Sequence, residues 1–138
     1  MIAEVIHTAN RFDTIIGAAL KPHGLTHAQF NILRILRDAA PSPLSVSDIR
    51  ERVLFPNSDI TRLIDRLVAK ELVSRTVCPA NRRKVDIGIT ESARQLLEVI
   101  VPQVDGRLKS SYASSISNAE AEPVSSILKR IQERNTSA

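Results

Sequence analysis

The chain has 138 residues, of which 43% are hydrophobic and 25% are charged, and its formal net charge is +4. This length and composition are typical of one globular domain that is large enough to bury a core. No apolar run approaches the roughly 20 residues of a membrane span, and the amino terminus lacks the basic-then-apolar layout of a signal peptide, so the sequence predicts a cytoplasmic protein without a membrane partner.

The first third of the chain is predicted to form two helices. Apolar residues recur at steps of three and four over residues 2–20, which is typical of an amphipathic helix of about five turns. Pro22 and Gly24 end that helix. Thr26 is the predicted N-cap of the next helix, which has the sequence LTHAQFNILRILRDAA.

Two further helices, joined by a tight turn, are predicted in the centre. Leu44 is expected to begin a short strand, and Ser45 and Asp48 form a pair like a capping box at the start of SVSDIRERV. The turn LFPNS follows. The next helix, SDITRLIDRLVAKE, directs its apolar residues inward and its polar ones outward. The outward set is Asp59, Thr61, Arg62, Asp65, Arg66 and Lys70.

A hairpin and two helices complete the predicted elements. LVSRTVC and the alternating VDIGIT form the strands, with residues 79–84 (PANRRK) at the tip of the hairpin. A long helix begins at Thr90, and Pro102 should kink it because the proline ring clashes with the preceding turn. The last helix is expected over about residues 119–134.

This order of elements is that of a winged helix-turn-helix. The predicted fold is mainly α with a small β-hairpin wing and flanking dimerisation helices. Residues 1–25 and 91–138 form the dimerisation helices, and residues 26–90 form the DNA-binding domain. The terminal helices carry long apolar faces, whereas the central domain has only one side to cover, so we expect a homodimer. The alternative is that these helices fold back onto their own domain.

The excess positive charge lies in the middle of the chain. Residues 48–84 contain nine Lys or Arg residues and five Asp or Glu residues, and the remainder of the chain is balanced. A local basic region indicates a polyanionic partner such as nucleic acid. With 3% aromatic residues and no Trp, base stacking by a single-strand binder is disfavoured.

The second helix of a helix-turn-helix enters the major groove, and an Arg on a wing can enter the minor groove. Three adjacent cations are more often a solvated loop, but their place on a wing beside a polar helix face favours DNA contact. The predicted DNA-binding residues are Ser47, Asn57, Ser58, Thr61, Arg62, Arg66, Arg82, Arg83 and Lys84.

The chain resembles the MarR family of bacterial transcriptional regulators. The resemblance rests on GLTHAQFNILRIL, SVSDIRERV, DITRLIDRLVAKELVSR and NRRKVDIGITESARQLL, and with the flanking helices it covers nearly the whole chain. It implies a homodimer that binds a pseudo-palindromic duplex operator, usually as a repressor. In many members a small phenolic or aromatic effector weakens DNA binding.

The resemblance also implies roles for single residues. By position, Ser58, Thr61, Arg62 and Arg66 match recognition-helix contacts, Arg83 matches the minor-groove arginine, and Asp65 matches the carboxylate that pairs with it. We therefore expect an Asp65–Arg83 ion pair that braces the wing. The chain departs from the family at Asn81, where an Asp is usual, and at Glu71, where a Gly follows the recognition helix.

Other groups give weaker hypotheses. The family's effector cleft lies between the dimer helices and the winged domain, so His7, Arg11 and His23 are candidates for binding a carboxylate effector. Cys78 could sense oxidants but is more simply a cysteine at a strand end, and a metal site or another cofactor is not expected.

No motif of an enzyme is present, so enzymatic activity is not expected. Two alternatives to a DNA-binding regulator stay open from the sequence: a winged-helix module that binds a partner protein, and a winged helix that binds RNA.

Overall fold

The computed structural model describes residues 1–136, so Ser137 and Ala138, at the end of the predicted third segment, lie outside the described residues. The described part contains six α-helices and a two-stranded antiparallel sheet, which confirms the predicted fold class. In chain order these are α1 (Ile2–Leu20), α2 (His27–Ala39), α3 (Val46–Arg52), α4 (Ile60–Ala69), β1 (Val73–Cys78), β2 (Asn81–Ile89), α5 (Glu91–Tyr112) and α6 (Asn118–Thr136).

The helices begin where the sequence supplies caps. Thr26 and Gln29 form a reciprocal capping box at α2, and Ser45 and Asp48 form another at α3. The Thr90 hydroxyl accepts a backbone N–H at the start of α5. Each such cap contributes about 1 kcal/mol, because it satisfies a backbone N–H that the helix leaves without a partner. All three predicted helix starts are therefore confirmed.

The first helix ends as expected. After Leu20 the chain tightens into one 3₁₀ turn, Lys21–His23, that contains Pro22. Gly24 follows with a φ of 68°, a left-handed conformation that glycine adopts without a steric penalty. This turn reverses the chain so that α2 starts beside the end of α1.

One core holds the central helices, the hairpin and the inner faces of α1 and α5. The α1 helix packs along α5, and α2 contacts α3, α4, α5 and the hairpin. The largest fully buried side chains are Leu20, Ile32, Leu33, Leu36, Ile49, Ile64, Leu67, Ile87, Leu97, Ile100 and Val104. The α5 helix continues through Pro102. Among the described residues, no helix has the length and apolar character needed to cross a bilayer.

The hairpin differs in detail from the prediction. Leu44 does not start a strand but forms a single bridge with Ile87, with backbone N–O distances of 2.9 and 2.8 Å. The turn consists of Pro79 and Ala80 only, and β2 already begins at Asn81. Val77 pairs with Val85 while Cys78 pairs with Asn81, so residues 82–84 have no opposite positions on β1. The three cations therefore lie in a bulge next to the turn.

The recognition-helix candidate, α4, ends earlier than predicted, in a Schellman motif. The Leu72 N–H donates to the Leu67 carbonyl at 3.0 Å, and the Glu71 N–H donates to the Val68 carbonyl at 2.9 Å. Glu71 consequently has a φ of 60°. Among the described residues, it is the only residue other than glycine with a positive φ. A side chain in this conformation brings Cβ too close to the following carbonyl oxygen.

We expect Glu71→Gly to raise the free energy of unfolding by about 0.5–1 kcal/mol, because the relief of left-handed strain exceeds the entropic penalty of glycine. Chemical unfolding at a fixed protomer concentration measures the change. As a control, Glu98→Gly in the exposed middle of α5 should lower the same free energy by about 1 kcal/mol. A destabilised Glu71→Gly variant would contradict the strain at this position.

Candidate nucleic-acid interface

The α4 helix divides sharply into a buried face and an exposed face. Ile60, Ile64 and Leu67 are buried in the core. Thr61, Arg62 and Arg66, together with Asp59, Asp65 and Lys70, are exposed, as predicted. Asp59 caps the helix, and its Oδ1 accepts the Arg62 N–H at 3.1 Å. The solvent-facing side of α4 therefore presents a hydroxyl and two guanidinium groups that can reach a partner.

The turn between α3 and α4 is anchored to α2. The Leu54 N–H donates to Asn31 Oδ1 at 2.9 Å, and the Ser58 N–H donates to the Phe55 carbonyl at 3.1 Å. Asn57 is exposed and Ser58 is half-buried, both just before α4. Ser47 is exposed in the first turn of α3. Asn57 and Ser58 therefore lie directly before α4, whereas Ser47 lies on α3.

The wing presents its cations to solvent. Arg82, Arg83 and Lys84 are all exposed in the bulge of β2. The Arg83 N–H donates to Asn81 Oδ1 at 3.1 Å, the local bond that an Asp would also accept at this position. The departure at Asn81 therefore retains the side-chain oxygen that orders the bulge.

The predicted Asp65–Arg83 ion pair is wrong, since Asp65 pairs with Arg75 instead. Arg75 is opposite Ile87 on the hairpin face that packs inward, and β1 follows α4 directly, so the guanidinium group reaches the Asp65 carboxylate. Arg83 lies beyond the Val77–Val85 pair, at least roughly 7 Å further along the hairpin at ~3.3 Å per residue. The wing is therefore braced near its base.

Sequence reasoning missed Arg75, although a signal was present. Arg75 stands between Val73 and Val77 in an alternating strand, so the period-two pattern puts a cation on the inward face. A cation at such a position is stabilised by an anionic partner, and after Glu71 the carboxylate nearest in sequence is Asp65 of the preceding helix. Lys70 was also missed, and it donates from the end of α4 to the Gly24 carbonyl.

Within the helix-turn-helix, one carboxylate has an altered acidity. The Ser45 backbone N–H, and then its hydroxyl, hold the pKa of Asp48 below its usual range, with smaller contributions from Arg52 and Lys84. Hydrogen bonds to the charged form favour that form, so Asp48 stays ionised and keeps the capping box of α3 closed at neutral pH.

The three effector candidates do not meet within one protomer. His23 lies 3.0 Å from Gln103 Oε1 and lines a cleft of about 630 Å³ with Pro22, Pro102 and Arg107, among others. His7 and Arg11 are exposed on α1 and are not among the residues that line this cleft. His7 and His23 are too far apart to share one site, because their separation of 16 positions along α1 and the following turn spans roughly 24 Å at ~1.5 Å per residue.

Cys78 is half-buried at the end of β1. Across the side chains that the structure describes, no three His, Cys, Asp or Glu residues come together as possible metal ligands.

Comparison with known proteins decides the family. A model described as MarR family matches residues 23–84. The transcriptional regulator MhqR of Bacillus subtilis (strain 168) is 32% identical over 109 residues, which cover 79% of this chain and 73% of MhqR. This chain belongs to the MarR family. It is therefore a DNA-binding transcriptional regulator with a winged helix-turn-helix fold.

Two solved structures match almost the whole length of this MarR-family protein. BpsR from Bordetella bronchiseptica superimposes with a TM-score of 0.82 at 26% identity, covering 96% of this chain and 93% of BpsR. The structure concerns regulation of BpsR DNA binding by 6-hydroxynicotinic acid. A mutant of Escherichia coli MarR complexed with operator DNA gives a TM-score of 0.79 at 25% identity, covering 94% and 92% of the two chains.

The corrected wing brace can be measured with double-mutant cycles. We expect Asp65→Ala and Arg75→Ala to show a coupling energy of about 0.2–1 kcal/mol in chemical unfolding, since both side chains are partly exposed to water. The cycle of Asp65→Ala with Arg83→Ala serves as the control and should show no coupling. Coupling to Arg83 but not to Arg75 would restore the original pairing.

Proposed function

We propose that this MarR-family protein is a homodimeric repressor of a pseudo-palindromic duplex operator, and that a small aromatic or phenolic ligand relieves the repression. The observation that carries the proposal is the exposed polar face of α4 beside a second exposed group of cations on the wing. A helix fits the major groove and a cationic hairpin suits the minor groove or flanking phosphates. A homodimer would address two half-sites about 10 base pairs apart.

The proposed DNA contacts fall into two classes. Thr61, Arg62 and Arg66 on α4 are suited to base edges, since Arg can bind guanine with two hydrogen bonds. Residues 82–84 on the wing are suited to phosphates or to a narrow minor groove. Asn57 and Ser58, just before α4, and Ser47, in the first turn of α3, would add hydrogen bonds to the DNA backbone or bases.

The proposed dimer uses the two ends of the chain, residues 1–25 and 91–138. Eight apolar residues, from α1 and its N-cap and from α6, border a groove of about 360 Å³ and are between 37% and 83% exposed in one protomer. They are Met1, Ile2, Val5, Ile6, Val124, Ile127, Leu128 and Ile131. So large an apolar surface marks an interaction site, and a second copy would bury the same surface on both partners. This supports association through the ends rather than folding back onto the winged domain.

The proposed effector is an aromatic carboxylate. The cleft beside His23 supports this choice, because Arg107 adds a cation to it and two prolines supply flat apolar surface. BpsR, whose DNA binding is regulated by 6-hydroxynicotinic acid, provides a precedent for ligands of this size. In the dimer, His7 and Arg11 would belong to the same site only if the partner protomer supplies them.

The DNA-binding roles are tested by fluorescence anisotropy with duplexes taken from the DNA upstream of the gene that encodes this protein. We expect Arg62→Ala to lose about 1–3 kcal/mol of discrimination between operator and scrambled duplexes, because a base contact distinguishes sequences. Arg83→Ala should weaken both complexes alike and reduce the slope of log K against log salt concentration by about 1.

The matched control is Arg130→Ala, which removes an exposed cation of α6 that belongs neither to the proposed DNA contacts nor to the apolar groove of α1 and α6, and it should change neither quantity. Uniform weakening by Arg62→Ala would exclude its base-reading role. Equal, salt-insensitive binding of every duplex by the wild type would instead favour the protein-interaction module.

Ile127→Asp tests the dimer. A carboxylate in an apolar interface lacks a partner, so the dimer dissociation constant should rise by at least about tenfold. Sedimentation velocity measures this change, and circular dichroism checks that the helices persist. Ser126→Asp puts the same charge on the opposite side of α6 and should leave the dimer intact. Equal dimerisation by both variants would contradict the proposed interface.

A further inference from the structure

A chain of side-chain contacts joins α1 to the turn that leads into α4. Its middle member is His27, the first residue of α2, whose side chain is 19% exposed. On one side the His27 ring meets Asp13 of α1, and on the other side it meets Phe55 of the turn between α3 and α4. Residues from three separate parts of the chain are therefore in direct contact.

The first contact is a short hydrogen bond. His27 Nδ1 and Asp13 Oδ1 lie 2.6 Å apart. A carboxylate oxygen can only accept, so the ring nitrogen carries the proton and donates it. The Asp13 side chain is 59% exposed and lies about two turns before the end of α1 at Leu20. Its bond therefore fixes the orientation of the better-covered histidine ring.

The second contact orients the turn. The rings of His27 and Phe55 are 4.8 Å apart at an angle of 74°, which is the edge-to-face arrangement favoured by the charge distribution of aromatic rings. The Phe55 carbonyl accepts the Ser58 N–H at 3.1 Å. A displacement of Phe55 would therefore move the backbone that carries Asn57 and Ser58, at the start of the DNA-reading surface.

The other end of α4 is held by the same part of the fold. Lys70, which follows the last helical residue, donates from its ammonium group to the Gly24 carbonyl. Gly24 lies between α1 and α2, three residues before His27. The start of α2 therefore contacts the turn before α4, the segment between α1 and α2 contacts the end of α4, and Asp13 joins His27 to α1.

We propose that Asp13 and His27 are positioning residues for sequence discrimination, acting on the recognition helix through Phe55. The inference rests on the proposed function, since it presumes that α4 reads DNA. Neither residue belongs to the proposed DNA surface, and Asp13 has no hydrogen bond or ion pair with α4 in the described structure. Asp13 therefore acts through His27, and a shift of α1 in the dimer is transmitted to the turn before α4.

A role in folding stability alone would have a different signature. A variant with fewer folded molecules binds every duplex less well, so the ratio of its dissociation constants for scrambled and operator duplexes does not change. A displaced recognition turn lowers this ratio, because base contacts need accurate geometry while phosphate contacts tolerate displacement. The ratio is the quantity to measure, at a protein concentration at which sedimentation shows the dimer.

We expect Asp13→Ala to lower the ratio by about 3- to 10-fold, which lies within the roughly 2- to 30-fold range found for residues that couple distant sites. His27→Ala should lower it at least as much, and the double variant should match His27→Ala, because Asp13 has no effect without the ring. His27→Phe keeps an aromatic edge against Phe55 but cannot donate to Asp13, so it should match Asp13→Ala. Asp38→Ala, which removes an exposed carboxylate of α2, is the control and should leave the ratio unchanged.

Unchanged ratios in Asp13→Ala and His27→Ala, with the wild type discriminating, would overturn this inference and leave the proposed function standing. Additive losses in the double variant would also overturn it, since they would mean that the two residues act separately. A wild type that binds operator and scrambled duplexes equally would overturn the proposed function and the inference with it.

Discussion

Burial of the apolar face of α4 is the constraint on which the rest of the structure depends. Ile60, Ile64 and Leu67 are at most 2% exposed, and a helix that buries one face must turn the opposite one to solvent. The arginines of α4 are consequently available to a partner without any rearrangement. The same burial locates the hairpin, because β1 follows α4 after a tight Schellman turn and packs its inward face on the core.

Electrostatics decide how the exposed elements are used rather than whether they fold. Exposed ion pairs such as Asp65–Arg75 contribute at most about 1 kcal/mol, while hydrophobic burial supplies most of the stability. The pairing instead limits the movement of the hairpin base relative to α4. Arg82, Arg83 and Lys84 form no ion pair of this kind among the described residues, although Lys84 helps to lower the pKa of Asp48, and all three side chains are exposed and available to phosphates. The wing thus combines an anchored base with a charged, exposed end.

In the proposed dimer, the terminal helices connect the subunit interface to the DNA-binding surface. The amino-terminal half of α1 and the α6 helix each have an exposed apolar face, whereas the carboxyl-terminal end of α1 is buried at Ala19 and Leu20. One rigid helix therefore extends from the proposed dimer surface into the core of the winged domain. His27 at the start of α2 binds Asp13 of α1 and contacts the turn before α4, and the Gly24 carbonyl accepts a hydrogen bond from Lys70 at the end of α4. These contacts connect α1, and with it the proposed dimer surface, to the recognition helix.

The sequence by itself determined the helices, their caps at Thr26, Ser45 and Thr90, the two strands, the family and the polar face of α4. These features depend on neighbours three or four positions apart in helices and two apart in strands, and backbone geometry sets those distances in any fold. Only the tertiary structure decided that Asp65 pairs with Arg75, that His7 and Arg11 lie away from the cleft at His23, and that His27 connects Asp13 to Phe55. Such contacts join elements distant in sequence, and their distances follow from how the apolar faces pack, which no local pattern records.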